Sequence, residues 1–109
     1  MLIQGGAGTV GYLAVQLAKW GGAKVIATCS PRDNDLVRDA GADAVLNYAD
    51  PDLAAAVLEA NGGKPVDTIV ETEFGLNITT DTEVIAPNGR IAAYGSAAEM
   101  SPTLPFYPL

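Results

Sequence analysis

Short apolar runs alternate along this chain with longer segments whose apolar positions recur at helical spacing. Met1 to Gln4 reads as a strand. From about Thr9 to Trp20 a helix follows, with Val10, Leu13, Ala14, Leu17 and Ala18 as its apolar stripe and Gly21-Gly22 as its stop. Lys24 to Thr28 is a second strand, and Ser30-Pro31 opens a helix through about Ala40 that ends at Gly41. Ala44 to Asn47 is a short third strand. Asp50-Pro51 starts a helix through about Ala60, closed by Asn61-Gly62-Gly63. Thr68 to Glu71 is the fourth strand, a weaker helix covers about Ile78 to Ile85, and Pro87-Asn88-Gly89 turns the chain into a fifth strand, Arg90 to Tyr94. Strands alternating with helices predict an α/β fold: a doubly wound parallel sheet in a three-layer sandwich. Pro102, Pro105 and Pro108 exclude a regular helix from the tail and argue against a central strand there.

The junction of the first strand and first helix carries the chemistry. Gly6, Gly8 and Gly11 read G-x-G-x-x-G between a strand and an amphipathic helix, the context in which this spacing binds a dinucleotide in a Rossmann-type fold. Gly6 is expected to turn the chain sharply, Gly8 to let a pyrophosphate approach bare backbone, and Gly11 to let the helix press close to the sheet. With Ala7, Thr9 and Val10 they form the candidate phosphate loop, facing the unpaired N–H groups and positive end of the helix.

The chain's 109 residues make a single domain the default, large enough for a core without disulfides or metals. Its net charge of −7 argues against sequence-independent binding to nucleic acid or to an anionic membrane. The same charge opposes an anionic dinucleotide at long range, but screening beyond roughly 8 Å leaves the local N–H groups to decide. With Cys29 as the single cysteine and no histidine, an internal disulfide and any Cys–His or Ser–His nucleophile are excluded. A Cys/His zinc site has almost nothing to be built from, and Cys29 reads as a small, partly buried hydrophobe. No signal peptide and no membrane-length apolar run is present, so a cytoplasmic location is expected.

The tip of the second strand should choose the cofactor. An acid there binds the ribose 2′-OH of NAD, whereas an arginine suits the 2′-phosphate of NADP. The position is Ser30, 19 residues after Gly11, and Arg32 follows it. NADPH is the expected cofactor, with Asp33 beside Arg32 working against it.

LIQGGAGTVGYLAVQLAKWGGAKVIATCS, DAGADAVLNY, VDTIVETEFG and NGRIAAYGS follow one another here as in the medium-chain dehydrogenase/reductase superfamily. The chain most resembles the zinc-independent quinone oxidoreductase branch of that family. The resemblance implies hydride transfer from NADPH to a quinone or enone, no catalytic metal, and a GroES-like catalytic domain and a last, sixth strand that this chain does not contain. It also implies cofactor contacts at Tyr48, in the Asn47-Tyr48 pair, and at Gly95 and Ser96 beside the nicotinamide half. Glu73 and Phe74 depart from the family's small residues after the fourth strand. Glu73 is expected to repel the cofactor phosphates unless it points to water, and Phe74 to alter the loop path.

A second reading is a dinucleotide-binding or interaction module without catalysis. The edge of the fifth strand would then recruit a partner or a second copy as a homodimer, with the Phe106-Tyr107 tail available as a cover. A short-chain dehydrogenase is excluded, because none of Tyr12, Tyr48, Tyr94 and Tyr107 has a lysine four residues on. A P-loop lacks its Gly-Lys-Ser/Thr.

Overall fold

The computed structural model describes residues 1–94. In chain order the elements are β1 (Leu2–Ile3), α1 (Thr9–Trp20), β2 (Ile26–Cys29), α2 (Asn34–Asp39) after a single tight turn at Pro31–Asp33, β3 (Ala44–Asn47), α3 (Leu53–Ala60), β4 (Val66–Glu71), α4 (Phe74–Val84) and β5 (Ile85–Ala93). The five strands form one all-parallel sheet in the order β3-β2-β1-β4-β5. The chain winds outward from β1 to β3, then returns to the other side of β1 as β4. That reversal is a switch point, and the carboxyl ends of β1 and β4 flank a crevice there.

Successive strand residues point to opposite faces, so each strand feeds two cores. Leu2, Ile26 and Ile69 pack with Leu53 and Val57 of α3 and Val84 of α4. Ile3, Ala27 and Cys29 pack on the other face with Val15 of α1 and Val37 of α2. Burial on both faces explains why the strands read as continuous apolar runs. Each fully buried Val, Leu or Ile here contributes about 1.5–3 kcal/mol relative to exposure.

Four expectations need correction. The stripe of α1 that meets the sheet is Gly11, Ala14, Val15 and Ala18, whereas Val10, Leu13 and Leu17 face outward. The helix sits so close to the glycine turn that small residues fill the contact, and the bulky ones are displaced to the far side. The second helix does not run unbroken from Pro31, because its first three residues form the tight turn. The fourth helix begins four residues before Ile78, at Phe74. Its buried face includes Asp81 and Thr82, polar residues that interrupt the apolar period. The fifth strand begins at Ile85. Ile85 pairs with Val66 and Arg90 with Thr68, so Pro87-Asn88-Gly89 bulges from the ladder rather than preceding it. Gly95, Ser96 and the proline-containing tail lie outside the described residues.

Candidate functional site

The turn after β1 is built by four glycines with different tasks. The positive backbone angle lies at Gly5 (φ +77°), not at Gly6 as the fingerprint suggested. A Cβ on Gly5 would also stand 2.7 Å from Thr72 Oγ1. Gly6 is instead a packing position, where a Cβ would meet Ala27 Cβ and Val37 Cγ1 at 3.1 Å each. A Cβ on Gly11 would lie 2.7 Å from the Gly5 carbonyl carbon, so this glycine seats α1 directly on the turn. Gly8 is the one that faces out. It is exposed, and a Cβ there would meet nothing nearer than the Gly5 carbonyl oxygen at 3.5 Å. Gly8 is also the N-cap of α1 in extended geometry (φ −72°, ψ 166°), with no side-chain cap and no acid in the first helical turn. A helix start presents N–H groups and partial positive charge, here over bare backbone.

This turn forms one wall of a cleft of about 220 Å³ at the carboxyl ends of β1, β2 and β4. Gly5, Ala7 and Gly8 line one side, Thr28, Cys29, Ser30 and Tyr48 the β2–β3 end, and Thr72, Glu73, Leu76 and Asn77 the other side. Hollows of about 430–450 Å³ exist elsewhere. One lies by Met1, Lys24 and Asp67 at the amino ends of the strands, where ligands of open parallel sheets do not bind.

Of the residues singled out from the sequence, Ala7, Gly8, Ser30 and Tyr48 come together in the cleft, with Gly6 and Gly11 beneath it. Thr9 lines a shallow hollow beside it, and Val10 is exposed on the outer face of α1. Arg32 stands outside the cleft wall, its side chain 86% exposed and its Nε 3.7 Å from Asp33 Oδ2. Cys29 is buried, its thiol pushed up by burial and then by Asp33, with Sγ 3.5 Å from Asn34 Oδ1. Asp67 is exposed at the start of β4, and Glu71 is buried at its end. Glu73, half-buried, lies in the cleft wall, and Phe74 opens α4.

The sequence reading missed a buried polar chain under the cleft. Gly5 N–H donates to Thr28 Oγ1 (3.1 Å), whose hydroxyl donates to Gln4 Oε1 (2.6 Å). Gln4 Nε2 donates to Asp81 Oδ1 (3.0 Å), and the Asp81 carboxyl faces that of Glu71. Glu71 Oε1 accepts from Glu73 N–H (2.7 Å) and Asn77 Nδ2 (2.8 Å). Burial, then the hydrogen bond and charge of Glu71, push the Asp81 carboxyl up to about 9, against the opposing bond from Gln4. The available signal was polar side chains at the end of β1 and inside α4, where the surrounding pattern is apolar.

The sequence profile described as zinc-binding dehydrogenase matches residues 9–109. The chain belongs to the zinc-binding dehydrogenase family. A chloroplastic quinone-oxidoreductase of Triphysaria versicolor is 37% identical over 102 residues, which cover 94% of this chain and 29% of that protein. A trans-enoyl reductase of Talaromyces wortmannii is 45% identical over 64 residues, covering 59% of this chain and 17% of that protein. A mycobacterial protein solved in complex with NADPH superposes with TM-score 0.84 at 32% identity, covering 98% of this chain and 33% of that one. A solved NAD-dependent alcohol dehydrogenase superposes with TM-score 0.88 at 35% identity, covering 96% and 31%. The chain thus spans under a third of these relatives. The resemblance to medium-chain dehydrogenases/reductases and their quinone oxidoreductases holds. Among the described residues no group of three or more His, Cys, Asp or Glu could hold a metal. Nor is any helix of the described residues long and apolar enough to cross a membrane.

Proposed function

We propose that this zinc-binding dehydrogenase segment is the NADPH-binding part of an oxidoreductase acting on a quinone or enone-type substrate. The observation that carries the reading is the bare, exposed backbone of Gly8 at the amino end of α1, open to the cleft at the switch point. Gly5, Gly6 and Gly11 shape the turn, and Ala7, Gly8 and the first amides of Thr9 and Val10 would hold the pyrophosphate. Ser30 and Tyr48 bound the ribose end. With no acid at Ser30 itself, Arg32 is the cation within the same turn to receive a 2′-phosphate, against the neighbouring Asp33 carboxylate. Gly95 and Ser96 are proposed for the nicotinamide half. The bound nicotinamide supplies a hydride from its C4, and the protein's part is orientation and electrostatics.

A GroES-like domain outside this segment would hold the substrate and exclude water, so this chain alone binds cofactor and turns over little. The relatives named quinone-oxidoreductase and trans-enoyl reductase support the substrate class, and the NADPH-bound neighbour supports the cofactor. The zinc-independent branch is proposed on the resemblance of the glycine turn and strand motifs. Calorimetric titration with NADPH and NADH tests the assignment. NADPH should bind at least tenfold tighter, about 1.4 kcal/mol, and Arg32→Ala should remove the difference. Tighter NADH binding would overturn the Ser30 and Arg32 argument.

The alternative is an interaction module without catalysis. It is favoured by the outward apolar face of α1, where Leu17 is 58% and Trp20 89% exposed, together with the edge position of β5. Concentration-dependent dimerisation in sedimentation, with no dinucleotide binding, would move this reading ahead.

A further inference from the structure

We infer that Glu71 and Asp81, with one proton held between them, are positioning residues for the dinucleotide cleft; this rests on the cofactor reading above. The hydrogen-bond chain has only one consistent direction. The Thr28 hydroxyl receives the Gly5 N–H and must donate to Gln4 Oε1. The amide of Gln4 then donates to Asp81 Oδ1. Glu71 Oε1 is filled by the Glu73 N–H and the Asn77 amide. Two buried oxygens are left without any hydrogen-bond partner, Glu71 Oε2 and Asp81 Oδ2. Two ionised carboxylates cannot share this interior, and two fully protonated acids would leave Glu71 a poor acceptor for two N–H donors. One proton, placed on Asp81 Oδ2 and donated to Glu71 Oε2, satisfies every atom in the chain.

What this chain joins gives it a role. One end is Gly5, the residue with the left-handed backbone on which α1 rests. The other end is the backbone of Glu73 and the side chain of Asn77, on the opposite wall of the cleft. The chain passes through Gln4 of the β1 end and Glu71 of β4, the two strand ends that flank the switch point. Both walls are therefore fixed to a single buried centre. A support needing only bulk would be cheaper as packed hydrocarbon, since buried carboxyls carry a desolvation cost.

The groups that face this centre are few. Glu71 faces it from β4 and neutral Gln4 from β1. On the packed elements around it, Asp67 of β4, Glu59 of α3, Glu83 of α4 and Arg90 of β5 are all exposed, and Glu73 is half-buried. No cation among the described residues contributes to Asp81. Taking the shared proton away places two like charges in the centre, which loosens the Gln4 and Thr28 bonds and with them the turn at Gly5.

The test is a titration of the chain across the neutral-to-alkaline range, following the carbon NMR resonances of the Asp81 carboxyl, the Thr28 methyl and Gly5 Cα, with NADPH affinity measured at each pH. The three resonances should move with one midpoint, and affinity should fall about tenfold across it, the worth of one lost hydrogen bond. Asp81→Ala should weaken NADPH binding, and Asp81→Asn should restore it, because its amide keeps both hydrogen bonds without a proton to lose. The restored variant should show no titration at Thr28 or Gly5. Affinity that is flat with pH, or Thr28 and Gly5 resonances that ignore the Asp81 titration, would overturn the inference while leaving cofactor binding intact. Failure to bind NADPH at any pH would instead overturn the cofactor reading, and this role with it.

Discussion

Gly8 and Gly5 are three residues apart, and glycine matters at each for a different reason. At Gly5 the reason is internal: φ of +77° and a 2.7 Å approach to Thr72 Oγ1. Gly5→Ala should cost about 2 kcal/mol of stability, from left-handed strain plus displacement of Thr72. At Gly8 the backbone is extended and the space for a side chain is open. Gly8→Asp places a favoured N-cap residue at the positive end of α1, so stability should stay within about 0.5 kcal/mol or rise. The same carboxylate stands where phosphates should bind, so NADPH affinity should collapse. Thermal denaturation of the two variants beside a binding assay separates structure from ligand contact. The sequence named the G-x-G-x-x-G spacing correctly but assigned the strained angle to Gly6. Spacing alone does not say which glycine of Gly5-Gly6 takes the positive φ, since either can.

Among the elements, α1 shows what a periodicity can and cannot establish. Val10, Leu13, Ala14, Leu17 and Ala18 announce a helix, and the helix is there at Thr9–Trp20. The pattern does not say which face turns inward, and Gly11 decides it by bringing α1 onto the turn. Leu17→Ser should therefore change stability by less than about 0.5 kcal/mol, while Val15→Ala, at a fully buried position, should cost about 2 kcal/mol. Urea denaturation of both checks the orientation, and a larger loss at Leu17 would contradict it. The strands were legible because both of their faces are apolar. The first turn of α4, Phe74 to Asn77, was not, because Asn77 serves the buried polar chain rather than the apolar core, as Asp81 does further along. Such a chain joins residues up to 77 positions apart, Gln4 and Asp81, and no local window contains both.

For the whole molecule, burying a carboxyl pair makes stability depend on pH. The folded state keeps the Asp81 proton until about pH 9, whereas the unfolded chain gives it up near an ordinary aspartate value of about 3.9. The contribution is thus fully present below the unfolded value and is lost as pH rises toward the folded one. Its slope is at most about 1.4 kcal/mol per pH unit. Asp43 works in the opposite direction. The hydrogen bond from Lys19, then that from the Val25 N–H, holds its carboxyl below the usual range, so its contribution is lost as pH falls. Denaturation midpoints should decline from neutral to alkaline pH, and Asp81→Asn should flatten that decline. An unchanged slope in the variant would place the titrating group elsewhere.

The central claim is that the bare backbone over α1 receives a dinucleotide. The measurement that tests it most directly is calorimetric titration of NADPH into the chain and into Gly8→Asp at matched salt. Saturable one-to-one binding by the chain, absent from an equally stable Gly8→Asp, is the predicted result. Equal binding by both, or binding by neither, would contradict the claim.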